Sequence, residues 1–366
     1  MIGHKSKIEK TINVAPPISS LREVQERASG LVPPQAWDWL EGGSEYEVTI
    51  AANRSGFSKV FPVQRVLRDV SNLDASLSFL GESLSFPLIA APLGGLTQYH
   101  LDGEIALAAG CHRAGSIASI GAMARLRMEE VRDANPNAPI IYQAYLQGPT
   151  EWLEEQVERA NSINVKALCI CADAPTRFVR YRDRDNRYDA RRFGRMTNSR
   201  PPSHEAGKKA NWDLITLFRQ LTEKPIILKG IMCVEDAVRA VDAGVDYLWV
   251  SNHGGRVMDS GVASIEMLPL IRRAVGKEAK IIFDGGVRCG SDMFKAIALG
   301  ADLVAIGRQI VYGLAVDGAA GVERIFELYK EEFESVMAAC GVTGLSQITP
   351  QLLQLRPSAA EMLDMC

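Results

Sequence analysis

Residues 281–308 read IIFDGGVRCGSDMFKAIALGADLVAIGR. Ile281–Gly285 is a short apolar run that ends in glycine, Ser291–Leu299 has helical spacing, and Leu303–Gly307 is a second apolar run closed by glycine. Neither run alternates apolar with polar residues, as expected of strands covered on both faces in a parallel sheet. Strand, helix and strand within roughly thirty residues make a βαβ unit.

The same unit recurs upstream. Apolar runs Phe86–Pro92, Ser116–Ile120, Ile140–Tyr145, Lys166–Pro175, Pro225–Gly230 and Tyr247–Asn252 precede it. Helical stretches Glu104–Ala114, Glu151–Ile163, Val234–Ala243 and Ile265–Ala274 lie between them. Eight strand candidates joined by crossovers predict an α/β fold, the (β/α)8 TIM barrel. A doubly wound open sheet shares the local signal but gives no reason to stop at eight.

Residues 1–84 read as an N-terminal helical cap. Ser19-Ser20-Leu21-Arg22-Glu23 is a capped helix start, Pro33–Glu41 is helical up to Gly42-Gly43, and Thr49–Phe57 forms a further helix; no strand is read there. Residues 316–366 read as a helical tail. The 366 residues are therefore read as a single domain with the barrel at 85–315, although length alone would allow two.

Composition narrows the partners. Hydrophobic residues are 47% and charged residues 23%, and 41 basic side chains face 44 acidic ones for a net charge of −3. No general basic field favours nucleic acid or an anionic membrane. No apolar run is long enough to span a bilayer, and the start MIGHKSKIEK lacks the apolar core of a secretory leader. A cytoplasmic location is expected. The seven cysteines are an odd number, only Cys169 and Cys171 are close, and no Cys/His pattern has zinc spacing. Reduced thiols and no metal are expected. One segment departs from neutrality: Arg177–Lys209 holds nine Arg and two Lys against three Asp and one Glu, a net +7. It reads either as a solvated loop or as an anion-attracting lid.

In a barrel, chemistry collects at the C-terminal strand ends. These ends carry Gln143 and Tyr145, then Cys171, Asp173 and Arg180, then Lys229, then Ser251-Asn252-His253-Gly254-Gly255-Arg256, then Asp284-Gly285-Gly286-Val287-Arg288, then Gly307-Arg308. The last two ends suit a phosphate: Gly286 and Gly307 let backbone N–H groups approach, and Arg288 and Arg308 add charge. Of five histidines, His253 alone sits among polar neighbours at a strand end. It is the candidate general base, with Asp173 to orient it. Arg180 and Arg256 could grip a substrate carboxylate with guanidinium forks.

SNHGGR followed by DGGVRCGSDMFKAIALGADLVAIGR resembles the FMN-dependent α-hydroxy acid oxidase and dehydrogenase family, which includes glycolate, lactate and mandelate enzymes. ANRSGFSKVFPVQRVLRDVSNLD and PLIAAP extend the resemblance, which runs from about residue 20 to residue 348. It implies FMN as cofactor and oxidation of an (S)-2-hydroxy acid to the 2-oxo acid. It implies that His253 takes a proton, Asp173 pairs with it, Tyr145 bonds the reacting oxygen, and Arg180 and Arg256 hold the carboxylate. Pro92, Leu93, Gly94, Gly121, Gln143, Cys171, Lys229, Ser251, Asp284, Gly286, Arg288, Gly307 and Arg308 would contact the flavin nucleotide. Oxygen is the expected acceptor, since no haem domain precedes the barrel, and relatives are often tetramers, so a homo-oligomer is expected.

Departures remodel the walls of the first and second strands and leave the proton-transfer residues intact. Trp39 stands where the family carries a tyrosine that donates to the carboxylate, Val257 where it carries glutamine, and Met123 where it has a pocket aromatic. Leu93, Gly94, Gly121 and Cys171 replace the usual Thr, Ala, Ser and Thr. A substrate larger or more apolar than glycolate or lactate is therefore expected. The alternatives are a flavin-dependent oxidation of a tailored alcohol, amine or α-hydroxy carbonyl compound, a non-catalytic FMN-binding barrel, and another phosphate-binding barrel enzyme such as a flavin-dependent isomerase.

Overall fold

The structure, a computed structural model, describes residues 17–146, 148–176, 178–189 and 207–355. The N-terminal start with His4, most of the second half of the basic insertion with His204, and Cys366 lie outside the described residues.

Eight parallel strands form one sheet: β1 (Leu88–Ala90), β2 (Ala118–Gly121), β3 (Ile140–Tyr145), β4 (Ala167–Cys171), β5 (Ile226–Ile231), β6 (Tyr247–Val250), β7 (Lys280–Phe283) and β8 (Leu303–Ile306). From β2 to β8 each strand pairs with the next, and β8 pairs with β1. The ring closes between β1 and β2, where Ala90 N–H donates to the Ile117 carbonyl at 3.1 Å and Leu93 bridges Ile120. Helices Gly103–Arg113, Thr150–Ser162, Val234–Asp242, Ser264–Val275 and Gly290–Ala298 pack outside. This is a (β/α)8 barrel, as the eight unalternating runs imply.

The barrel interior is filled by Ile89, Ile141, Cys169, Ile227, Trp249 and Ile282, all fully buried. Burying one such apolar side chain contributes roughly 1.5–3 kcal/mol relative to exposure, so this plug holds the strand tops in fixed register.

The cap differs from its sequence reading in one respect. Its helices are α1 (Leu21–Leu31), α2 (Pro34–Glu41) and α3 (Val48–Phe57). Strands are also present: Leu77–Phe79 pairs with Glu82–Leu84, and Val60–Pro62 pairs with Leu353–Leu355. The hairpin puts Phe79 and Leu84 into the interior cluster and so stoppers the N-terminal end of the barrel. Three-residue strands are too short to show a period, and the partner of Val60–Pro62 lies at the far end of the chain.

Beyond the last strand, Arg308–Ala339 is one long helix broken at Asp317 and Gly318. Gly318 has φ +52°, and a Cβ there would stand 2.9 Å from His100 Nε2. Among the described residues no helix is long and apolar enough to cross a membrane.

Candidate active site

The C-terminal strand ends open into a cavity of about 640 Å³. Trp39, Pro92, Leu93, Gly94, Met123, Gln143, Tyr145, Cys171, Arg180, Lys229, His253, Arg256, Asp284, Gly286, Arg288, Gly307 and Arg308 all line it. Asp173, Gly121 and Ser251 stand behind this wall and touch residues that form it.

The turn after β6 presents His253. His253, Gly254 and Gly255 take φ of +57°, +65° and +77° in succession, a left-handed run that glycine adopts freely and histidine does not. Its shape is held from both sides. The His253 backbone N–H donates to Ser251 Oγ at 3.1 Å, and a Cβ on Gly255 would fall 2.9 Å from the Ile50 nitrogen in α3. Asn252 exchanges two amide hydrogen bonds with Asn53 of α3, at 2.9 and 2.8 Å. The cap thus braces the histidine turn, a role that sequence inspection did not assign to Asn53.

His253 Nδ1 meets Asp173 Oδ1 at 3.0 Å. The Cys171 thiol donates to the same oxygen at 3.1 Å. Burial opposes the Asp173 charge, but His253, Lys229 and the Cys171 hydrogen bond outweigh it and hold the carboxyl below its ordinary range. Tyr145 is shifted upward, first by burial and then by Cys171 and Asp173, so its phenol stays a donor.

Lys229 is 4% exposed and donates to Ser251 Oγ at 2.8 Å, with Asp284 Oδ2 at 3.6 Å. Ser251 Oγ donates to Asp284 Oδ1 at 2.6 Å. Burial disfavours the ammonium, yet Asp284 and Asp173 raise its pKa above the usual value. The cation is fixed rather than titrating.

Arg256 shows what α2 does. Its Nη1 donates to the carbonyls of Trp39, Leu40 and Gly42, at 2.8, 3.1 and 2.7 Å, at the end of that helix. Arg308 donates to Leu40, Gly42 and Gly254 carbonyls at 3.0, 3.4 and 3.2 Å. Two guanidiniums therefore share the carbonyl-rich C-terminus of one helix, where the dipole favours cations. Burial, Arg180 and Arg308 all disfavour the Arg256 charge, which sharpens its gain from an arriving carboxylate. Both Arg256, at 5.0 Å, and Arg180, at 5.6 Å from the ring centroid, stack over Trp39. Arg180 also pairs with Asp183 at 2.9 Å.

The departures at the ends of β1 and β2 leave little room for the side chains they replace. A Cβ on Gly94 would come 2.8 Å from the Met123 Cβ and 3.3 Å from its carbonyl oxygen, so the chain at 123, with any residue but glycine there, takes the room that a methyl at 94 would need. A Cβ on Gly121 would meet Gln143 Oε1 at 3.2 Å and the Leu93 carbonyl at 3.3 Å. Phe178 and Val179 add further apolar lining that the sequence reading missed, since loop residues carry no period. Glu104, also missed, is fully buried and accepts N–H groups of Leu96 at 3.3 Å and Arg125 at 3.4 Å. It ties the loops that carry Gly94 and Met123.

Residues 28–355 match the FMN-dependent dehydrogenase family. A peroxisomal (S)-2-hydroxyacid oxidase of Arabidopsis thaliana is 35% identical over 91% of this chain and 95% of its own length. An L-lactate oxidase of Nostoc is 33% identical over 93% of this chain and 99% of its own. A crystal structure of mandelate oxidase with (S)-2-phenylpropionate superposes with a TM-score of 0.86, at 32% identity, covering 93% of this chain and 99% of that one.

Proposed function

The chain belongs to the FMN-dependent dehydrogenase family, and from that premise we propose that it oxidises an (S)-2-hydroxy acid whose side chain is larger and more apolar than that of glycolate or lactate, with oxygen as acceptor. FMN-dependent 2-hydroxy acid oxidation is the family chemistry, and FMN is the cofactor. The polar groups fit that cofactor. Gln143 Nε2 is a buried donor with no partner among the described residues, suited to the carbonyl edge of a flavin ring. Lys229 would lie near the ring and Asp284 near the sugar-like chain, while Gly286, Gly307 and Arg288 would hold the phosphate. FMN supplies a two-electron acceptor.

The remaining work falls to side chains. Oxidation to the 2-oxo acid removes two electrons and two protons. His253 Nδ1 is engaged by Asp173, which leaves Nε2 to accept a substrate proton. Asp173 stabilises the imidazolium that results. Tyr145 donates to the reacting oxygen. Arg256 and Arg180 receive the carboxylate, and a homo-oligomer and a cytoplasmic location complete the reading.

The wall formed by Trp39, Leu93, Met123, Phe178 and Val179 carries the substrate assignment. Trp39 offers one indole N–H where a phenol would stand, and the rest of the surface is apolar. Values of kcat/KM should rise along glycolate, lactate, 2-hydroxyoctanoate and mandelate, with peroxide formed under air. Trp39→Tyr should shift the ratio toward lactate. A flat or inverted series, or an unchanged ratio in the variant, would overturn the assignment.

A further inference from the structure

Cys171 closes β4 with its thiol against the pair that handles the proton. Sγ lies 3.1 Å from Asp173 Oδ1 and 3.8 Å from His253 Nδ1, and Oδ1 lies 3.0 Å from Nδ1. One carboxylate oxygen therefore serves two donors. Among the described residues Asp173 Oδ2 is buried with no hydrogen-bond partner, so Cys171 and His253, both at Oδ1, make the direct side-chain hydrogen bonds to this anion there.

We infer that Cys171 is a positioning residue: by sharing Oδ1 it limits how tightly Asp173 holds the His253 Nδ1–H, and so sets the pH above which His253 can accept a proton. The inference rests on the base role proposed for His253. A thiol is a weak donor, so it draws off part of the anion's capacity without displacing the imidazole. Of the other groups that act on this cluster, two hold their charge state. Lys229 from β5 is held as the ammonium, Tyr145 from β3 is held neutral, and Asp284 from β7 is engaged by Ser251 and Lys229. Arg256, in the loop after β6, is anchored to α2. Burial and the Asp173 charge hold the thiol well above its ordinary pKa, so Cys171 stays a donor and is a poor nucleophile.

The test uses FMN-loaded protein with 13C-labelled imidazole carbons, the His253 resonance being assigned by its loss in His253→Gln. The His253 titration in Cys171→Ala should lie at higher pH than in wild type, by roughly 0.4 to 1 pH unit, because one hydrogen bond is removed from its counter-anion. In Cys171→Ser, whose hydroxyl is the stronger donor, it should lie at or below the wild-type position. Titrations that superimpose, or a downward move in Cys171→Ala, would overturn the inference. If the alanine variant fails to fold, the infrared S–H band decides, assigned by its loss in Cys171→Ser: a low-frequency donating thiol supports the inference and a free-thiol frequency refutes it. Failure of the functional reading looks different, since then the protein takes up no FMN or His253→Gln still reduces it.

Discussion

Gly94 and Met123 show at the scale of single residues why departures from a family pattern should be read in pairs. Each alone looks like a loosened wall, but the 2.8 Å approach of a Cβ on Gly94 to the Met123 Cβ couples the two positions. Gly94→Ala should therefore weaken substrate and FMN binding in the wild-type background and do so less beside Met123→Gly, which removes the Cβ that the new methyl would meet. A double-mutant cycle on KM and on FMN affinity measures that coupling, and additive effects would separate the two positions. Arg256→Lys should raise KM and lower kcat together, because one ammonium cannot satisfy three helix-end carbonyls and also fork a carboxylate. Wild-type kinetics in that variant would remove Arg256 from the carboxylate site.

Among the elements, the strand ends were legible and the braces behind them were not. Runs that end in glycine or a polar residue marked where β3 to β8 finish, and the residues named there line the cavity or back its wall. The α2 carbonyls that hold Arg256 and Arg308, and the buried Glu104 that ties two loops, carried no signal. Backbone acceptors have no side-chain signature, and a lone glutamate in a helical pattern reads as solvated surface. Glu104 yields a pH prediction. Burial raises its carboxyl above the ordinary value. The folded state thus prefers the protonated form, so Glu104 lowers stability as pH rises from the unfolded value through the folded one, and the loss is complete above that. Glu104→Gln should remove this fall. Urea unfolding across the acidic range should show the variant gaining on wild type as pH rises, and parallel curves would contradict it.

Over the whole molecule, a near-neutral chain conceals a cavity rich in fixed cations. Lys229, Arg180, Arg256, Arg288 and Arg308 face one space, with Asp173 and Asp284 as the buried counter-charges. Such a site gains from an anionic cofactor and an anionic substrate alike. Saturating FMN should raise the melting temperature, since a ligand present at a hundred times its Kd adds about 2.7 kcal/mol to the folded state. Arg288→Ala should lose most of that shift. The single-domain reading and the barrel were carried by repetition of one unit. The pairing of Val60–Pro62 with Leu353–Leu355 was hidden because neither segment has a pattern of its own. The central claim, that this cavity oxidises a 2-hydroxy acid with His253 as base, is met most directly by anaerobic mixing of FMN-loaded protein with mandelate and long-chain 2-hydroxy acids. The flavin absorbance of wild type should bleach, and His253→Gln, with FMN still bound, should bleach at least about 10²–10⁴-fold more slowly. An oxidised spectrum that persists in wild type with every acid, or equal bleaching in the variant, would contradict the account.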